Sequence, residues 1–311
     1  MPSPSCLTTF GTEFQILFDS FIDSPSAAPT RLPYLEAPLS QQIQSSETTG
    51  ALGHTFRSTS ALQSISAGSL RAEDVGVVAA ESGYSGIEEK SGPLHSFVEH
   101  VMTYAFPVLA AANLYLALGQ FDWVTLILAV MIGLPLAWVL ADFVSGLVHW
   151  FADTYGADDT PLFGPWLIRP FRQHHVYPRD ICTHGLVLAI GNSCTLAVPL
   201  QAGVLYLLLT EDEVSITRGF LLFIFNLFAI AMVATNVLHK WAHAERTNWL
   251  ISRLQRSRVF LSPAHHSLHH TSPFDSNYCI TNGWLNPLLQ RIHFFRGLEW
   301  MLSKINIKPG S

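Results

Sequence analysis

Residues 123–153 read WVTLILAVMIGLPLAWVLADFVSGLVHWFAD, and they contain both a membrane span and the beginning of a polar site. From residue 123 to residue 141 no side chain is charged. This length is close to the roughly 20 residues that a helix needs to cross the hydrocarbon core, so it predicts a transmembrane helix. Ionisable residues next to such a span indicate a functional site. Four polar residues follow at intervals of three and four, on one helical face: Asp142, Ser145, His149 and Asp153.

Three further apolar stretches predict transmembrane helices, at residues 101–121, 185–210 and 219–238. The composition agrees, because 49% of the residues are hydrophobic, only 13% are charged and the mean hydropathy is +0.29. Soluble domains contain about a quarter charged residues. The sequence therefore predicts an all-α membrane protein with four transmembrane helices.

Two short polar turns, residues 119–122 and 211–213, join these spans into hairpins. That connectivity places both termini, the 150–184 loop and the segment after residue 239 on one side of the membrane. Sixteen of the 17 lysines and arginines lie on that side, and only Arg218 lies opposite. Positively charged loops favour the cytosol, so we expect both termini to be cytosolic.

The first 92 residues are rich in Ser, Thr, Pro and Gly and contain no sustained apolar run, which predicts a disordered tail before a membrane domain at 93–311. The tail has no charged segment followed by an apolar one, so we do not expect a secretory signal there. A plastid transit peptide is the alternative, but acidic residues such as Glu13, Asp19 and Asp23 disfavour it. The four cysteines form no CxxC pair and are expected to be free thiols. A net charge of -6 disfavours nucleic acid as a partner.

Three segments outside the spans are predicted to lie at the membrane interface. Asn248 is expected to cap an amphipathic helix that extends to Val259, and Asn286 with Pro287 forms an N-cap and N1 pair for a helix that extends to Met301. The third segment is 161–168. A surface helix of a soluble domain would have the same pattern, but beside four spans an interfacial helix is favoured.

Histidines dominate the polar segments at the ends of the spans. Residues 263–270 read PAHHSLHH, with four imidazoles in six residues. On a helix, His266, His269 and His270 would project from one face. Ten of the 14 histidines fall in four such segments, and the predicted topology places all four segments at one membrane face. The other histidines of this set are His149, His174, His175, His184, His239, His243 and His265.

These histidines predict a metal centre rather than isolated structural residues. One isolated HxxxH pair such as His239 and His243 would be weak evidence, since it lacks the glutamate of the HExxH motif. Eight or more imidazoles exceed what one ion needs, so two ions are expected. Nitrogen-rich ligation with open positions suits non-haem iron and O2 chemistry. At the mouth of a membrane bundle, such a site implies a lipid chain as substrate.

Five motifs resemble those of the plasmanylethanolamine desaturase family: DFVSGLVHWFAD at 142–153, RPFRQHH at 169–175, HKWAH at 239–243, HHSLHH at 265–270 and YCITNGWLN at 278–286. The resemblance extends from about residue 97 to residue 302. It implies a multi-pass enzyme of the endoplasmic reticulum membrane that converts the sn-1 O-alkyl chain of an ether phospholipid to a 1-enyl ether. It also implies O2, a cytosolic di-iron centre, and electrons from NADPH through cytochrome b5 and its reductase.

The same resemblance assigns roles to individual residues. Asp142, His184 and His265 are expected to hydrogen-bond to the metal ligands and orient them. The expected ligands, which would also be the catalytic residues, are His149, Asp153, His174, His175, His239, His243, His266, His269 and His270.

Two other functions remain open at this point. An acyl-lipid desaturase, for example one acting on phosphatidylglycerol, or a lipid hydroxylase would use the same metal centre. A non-enzymatic membrane metal transporter or scaffold would instead require polar residues deep within the spans, whereas the first and fourth spans are almost wholly apolar there.

Overall fold

The computed structural model describes residues 92–161, 163–210, 215–307 and 309. The predicted disordered tail, apart from Gly92, and the predicted turn at 211–213 lie outside these residues. Within them the chain forms α-helices and short π and 3-10 segments (Gly164–Ile168 and Asp180–Thr183), but no strand. The α-helices are α1 (Pro93–Leu118), α2 (Trp123–Thr154), α3 (Arg169–Val176), α4 (Leu186–Thr210), α5 (Ile216–His243), α6 (Trp249–Arg256), α7 (Pro263–His266), α8 (Asn286–Arg291) and α9 (Phe294–Lys304).

The four-span prediction is confirmed, since α1, α2, α4 and α5 are long and apolar enough to cross a membrane. Their bounds differ from the predicted ones. Helix α2 continues to Thr154 and α5 to His243, because the last uncharged residue marks the end of the apolar stretch and not the end of the helix. Residues 119–121, assigned to the first span, belong instead to the turn that precedes the Asp122 cap of α2.

The spans pack through small side chains and present large apolar ones outward. Ala110, Ala137 and Ala229 are at most 5% exposed, as is common where membrane helices approach closely. By contrast, Tyr115 is 79% exposed and Leu196 75%. Such apolar outer surfaces are stable in contact with lipid chains rather than water, and the protein is therefore a multi-pass membrane protein.

Buried amides link the spans, and the sequence-based view that the first and fourth spans are almost wholly apolar missed them. Asn113 of α1 donates to the backbone carbonyl of Gln201 in α4 at 2.9 Å, and Asn226 of α5 donates to the carbonyl of Ala110 at 3.1 Å. A single amide barely changes the mean hydropathy of a long apolar stretch, so the hydropathy pattern does not reveal these residues. Hydrogen bonds of this kind hold membrane helices together.

Asp142, a fully buried carboxylate on α2, binds the main chain of the 278–286 loop. Ser145, one turn further along α2, accepts from the N–H of Ile280 at 3.2 Å. Gly146 allows this close approach, because a Cβ there would lie 2.5 Å from the sulfur of Cys279. The loop is therefore fixed against the last turns of α2. The N–H groups that donate to Asp142 are those of Thr281 (3.2 Å), Asn282 (3.0 Å), Gly283 (2.8 Å) and Leu285 (3.1 Å).

Helix α6 confirms the predicted cap but ends earlier than expected. The side chain of Asn248 accepts from the N–H of Ile251 at 2.9 Å. The helix ends at Arg256 instead of continuing to Val259, because Arg258 adopts a left-handed conformation with φ of 59°. The interfacial position of α6, of α8 with α9, and of the 161–168 segment stays a prediction.

The predicted cap at Asn286 was wrong. Asn286 is the first residue of α8, and its side chain pairs with the main chain of Cys279, accepting from the N–H and donating to the carbonyl, both at 2.9 Å. The helix expected to reach Met301 without interruption is divided at His293, which has φ of 52°. Spacing of apolar residues alone does not reveal such a break.

Replacing Asp142 with Asn should destabilise the loop. The substitution keeps the shape but turns one oxygen into an N–H donor facing main-chain donors, and each hydrogen bond to a charged group contributes about 1.5–3 kcal/mol. We expect the unfolding temperature of the detergent-solubilised protein to fall by roughly 5–10 °C. Replacing the exposed Asp159 with Asn is the control and should leave it unchanged. An unaltered unfolding temperature for the Asp142 variant would contradict this role.

Candidate metal centre

Four segments bring the nine predicted ligands to one end of the helix bundle. Helix α2 contributes His149 and Asp153 from its last two turns, and α5 contributes His239 and His243 from its last turn. The remaining five residues lie outside the spans, on α3 and on α7 with the turn that follows it. The nine residues form two groups. The five-histidine group is His174, His239, His243, His266 and His270, and the carboxylate group is His149, Asp153, His175 and His269.

In the five-histidine group the Nε2 atoms face a common point. Nε2 of His266 lies 2.8 Å from that of His243, 2.9 Å from that of His239 and 3.0 Å from that of His270. Nε2 of His174 lies 2.9 Å from that of His243. Ligands about 2.1 Å from one ion and at right angles to each other are roughly 3 Å apart, so this is the spacing that a shared metal ion produces.

In the carboxylate group three imidazoles surround one oxygen. Oδ2 of Asp153 lies 3.1 Å from Nε2 of His175, 3.4 Å from Nε2 of His149 and 3.5 Å from Nε2 of His269. His149 and His269 are fully buried, and their Nε2 atoms have no hydrogen-bond partner. The group therefore contains buried polar atoms that the protein itself does not satisfy.

Main-chain carbonyls determine which nitrogen of these histidines is free to bind a cation. Nδ1 of His149 lies 3.1 Å from the carbonyl of Tyr278, and Nδ1 of His269 lies 2.8 Å from that of Ser276. A carbonyl only accepts, so each Nδ1 carries a proton, and in the neutral ring each Nε2 then presents a lone pair. These lone pairs face the carboxylate oxygen of Asp153. Two acceptors face each other favourably only when a cation lies between them, so the group fits a metal ion.

Burial keeps the five-histidine group in the form that binds metal. Removal from water, together with the neighbouring imidazoles, lowers the pKa of His174 and of His266 well below the ordinary value. The same causes lower the pKa of His270. These imidazoles are therefore neutral at physiological pH, and neutral imidazole is the metal-binding form.

The two groups are direct neighbours. The ring centroids of His175 and His270 are 5.1 Å apart, and those of His269 and His270 are 5.5 Å apart. His266, His269 and His270 do not share one face, as a continuous helix would require. Helix α7 ends at His266, and the following turn directs His269 to the carboxylate group. The arrangement can hold two ions side by side.

A family model for the lipid desaturase domain matches residues 138–309, more than half of the chain. This chain belongs to the lipid desaturase family. The matched segment begins within α2 and includes both ligand groups.

Curated relatives agree with this assignment. The chain is 39% identical over 168 residues to plasmanylethanolamine desaturase of Myxococcus xanthus and 36% identical over 178 residues to plasmanylethanolamine desaturase 1 of Mus musculus. These matches cover 54% and 55% of this chain, and 58% and 64% of the relatives' own lengths. It is also 30% identical over 202 residues, 63% of this chain and 66% of the relative, to fatty acid desaturase 4-like 2, chloroplastic, of Arabidopsis thaliana. No solved structure matches the chain.

The three residues expected to orient ligands take different positions in this lipid desaturase. Asp142 acts through the main chain, since it holds the loop whose Tyr278 carbonyl accepts from His149. His265 lies outside both ligand groups, with Nε2 3.0 Å from Nδ2 of Asn286. His184 contributes its main-chain carbonyl, which accepts from the ammonium group of Lys240.

Lys240 belongs to the helix of the fourth span, although the sequence analysis ended the apolar stretch before it. It was assigned to the segment after the fourth span, but it lies within α5 and is only 5% exposed. The apolar stem of a lysine can be buried when a carbonyl accepts a hydrogen bond from its ammonium group.

The residues missed from the sequence act through main-chain atoms. Ser276 and Tyr278 orient imidazoles with their carbonyls, a role that any residue type could fill and that leaves no side-chain signature. The YCITNGWLN motif at 278–286 was the available signal, because its Asn and Gly serve this loop. Gly283 has φ of 75°, which favours glycine, and a Cβ there would strike the ring of His265.

We expect the purified protein to contain about two metal ions per chain, one in each group. Replacing His243 or His269 with Ala removes one ligand from the five-histidine group or the carboxylate group, and each should reduce the bound metal by about half. The measurement is elemental analysis of the detergent-solubilised protein. Replacing His100, which is exposed on α1, with Ala is the control. Full metal content in the His269 variant would remove it from the ligand set.

Proposed function

We propose that this lipid desaturase converts the sn-1 O-alkyl chain of plasmanylethanolamine to a 1-enyl ether and so forms a plasmalogen. The reaction would use two non-haem iron ions, O2, and electrons from NADPH through cytochrome b5 and its reductase. The enzyme would reside in the endoplasmic reticulum membrane with both termini and the metal centre on the cytosolic side, as the charge distribution favours.

One observation carries the proposal: two adjacent groups of nitrogen-rich ligands lie at one end of a membrane-spanning bundle. Eight imidazoles and one carboxylate fit iron, and the imidazoles around Asp153 are suited to hold a cation together with it. The two relatives at 39% and 36% identity are named for this reaction, which supports the choice of substrate. The matches cover 58% and 64% of those proteins, which is less than two thirds of their length. The activity of this chain is therefore a proposal.

The chemistry balances without a further oxidant. One hydrogen leaves C1 and one leaves C2 of the alkyl chain, and a double bond forms between these carbons. Together with two electrons from the donor and two protons, these hydrogens reduce O2 to two molecules of water. Bound iron would supply the reactivity toward unactivated C–H bonds that no side chain here provides.

The protein's own residues orient the ligands and exclude water. The carbonyls of Tyr278 and Ser276 fix the rings of His149 and His269, so that Nε2 of each faces Asp153. Phe171 packs against His149 and Phe274 against His175, each with ring centroids 4.9 Å apart. An apolar wall of this kind keeps bulk water from the ligands and protects reactive species from side reactions.

An acyl-lipid desaturase is the second candidate, favoured by the 30% identity to fatty acid desaturase 4-like 2, chloroplastic. The same ligand groups could act on an acyl chain. Membership in the lipid desaturase family favours either enzyme over the metal transporter or scaffold considered above. The buried amides also join neighbouring helices through hydrogen bonds, which is a structural role.

The test is expression in cells that lack plasmalogen synthesis but contain O-alkyl phospholipids, followed by measurement of acid-labile vinyl ethers. We expect the intact protein to produce them, with loss of two mass units from the alkyl lipid. The His269→Ala variant should produce none, because one ligand of the carboxylate group is gone.

The matched control is His100→Ala, which should retain activity at equal protein level. New unsaturation in acid-stable acyl chains without vinyl ethers would instead establish the second candidate. Full activity of the His269→Ala variant would contradict the assigned site.

A further inference from the structure

A cavity of about 110 Å³ lies beside the metal centre, between the end of α6, the start of α7 and the 278–286 loop. One of its walls is the ring of His265, which directly precedes the predicted ligand His266. Among the described residues that line it, none is acidic. The lining includes Arg258, Ser262, His265, Asn282, Gly283 and Trp284.

Asn282 lines this cavity and has an unsatisfied side-chain donor. The residue is only 3% exposed, and its Oδ1 accepts from the N–H of Trp284 at 3.0 Å. Its Nδ2 is buried and has no hydrogen-bond partner. Buried donors in folded proteins are nearly always paired, so an unpaired one on a residue that lines a cavity is suited to a ligand with an acceptor oxygen.

Arg258 supplies a positive charge at the rim of the same cavity. Its left-handed backbone is fixed by neighbouring bonds, since its N–H donates to the carbonyl of Gln255 at 3.1 Å and Trp138 donates to the carbonyl of Val259 at 3.0 Å. The planar guanidinium group suits the oxygens of a phosphate better than a neutral ligand. An amide donor and a guanidinium together favour an anion.

We propose that this cavity binds the phosphate of the phospholipid substrate, held by Arg258 and by Nδ2 of Asn282. The inference rests on the proposed function. In an ether phospholipid, six bonds separate the phosphorus from C1 of the sn-1 alkyl chain. An extended chain covers about 3.5 Å per three bonds, so these atoms are at most roughly 7 Å apart.

Desaturation at C1 and C2 therefore requires a phosphate site immediately next to the metal centre. His265 of the cavity wall directly precedes His266 of the five-histidine group, so the cavity wall is continuous along the main chain with a predicted ligand. A reaction near the middle of an acyl chain would place the headgroup much farther from the metal. The position of the cavity thus connects headgroup binding with the site of the double bond.

The experiment measures binding of two probes to the purified full-length protein by equilibrium dialysis. One is a short-chain 1-O-alkyl phospholipid and the other is the corresponding 1-O-alkylglycerol, which lacks the phosphate. We expect the intact protein to prefer the phospholipid by about tenfold or more, the effect of one or two charge-assisted hydrogen bonds.

Two variants remove the proposed contacts. Asn282→Asp keeps the acceptor for the N–H of Trp284 but replaces the free donor with a negative oxygen, and Arg258→Gln removes the charge at an exposed position. Both should lose the preference for the phospholipid. Arg256→Gln, an exposed arginine outside the cavity, is the matched control and should keep it.

Equal binding of both probes by the intact protein, or an unchanged preference in Arg258→Gln, would overturn the proposal. Competition by inorganic phosphate distinguishes a lipid phosphate from free phosphate as the ligand. If free phosphate binds while the two lipids bind equally well, the cavity does not bind the headgroup. Because Arg258 is exposed, its variant keeps the test decisive even if Asn282→Asp does not fold. Binding is measured without turnover, so equal binding of the two probes would contradict the phosphate site but not the proposed reaction. Absence of vinyl ethers in the expression test would contradict the proposed reaction but not phosphate binding.

Discussion

Four main-chain N–H groups of one loop converge on the single carboxylate of Asp142, and the geometry of the metal centre depends on that contact. The carboxylate is fully buried, so its charge is tolerated only because these donors surround it. The loop then presents the Tyr278 carbonyl to His149 on one side, and Asn286 to His265 on the other. A residue that touches no predicted ligand thereby determines the tautomer of one ligand and the shape of the neighbouring cavity.

The two ligand groups leave polar atoms unsatisfied that a bound cation would satisfy. Each of the five Nε2 atoms lies within hydrogen-bond distance of at least one other, and they cannot all satisfy each other, since each Nε2 of a neutral imidazole either donates or accepts but not both. In the carboxylate group, lone pairs face an anion. Such an arrangement is costly unless positive charge enters it, and the surrounding helices must hold it in place. The hydrogen bonds between buried amides of α1, α4 and α5 contribute that rigidity.

Sequence patterns predicted the spans and the set of clustered histidines, because hydropathy and spacing are local properties. They did not predict how the set divides, since the end of α7 at His266 directs His269 away from His266 and His270. They also misassigned Asn286, whose preference for helix starts was overridden by main-chain partners at Cys279. Tertiary hydrogen bonds of this kind arise between residues more than a hundred positions apart or across a turn, and no periodicity encodes them.

The length of α2 constrains which carbons of a lipid the centre can reach. Its 32 residues extend for about 48 Å, whereas the hydrocarbon core is about 30 Å thick. With the uncharged residues 123–141 in the core, the last turns carry His149 and Asp153 beyond it, to the level of the lipid headgroups. Carbons in the middle of a chain would have to leave the hydrocarbon to meet this centre, whereas C1 and C2 of an sn-1 chain already lie next to the glycerol. The position of the ligands along α2 therefore agrees with the proposed reaction, which takes place next to the glycerol.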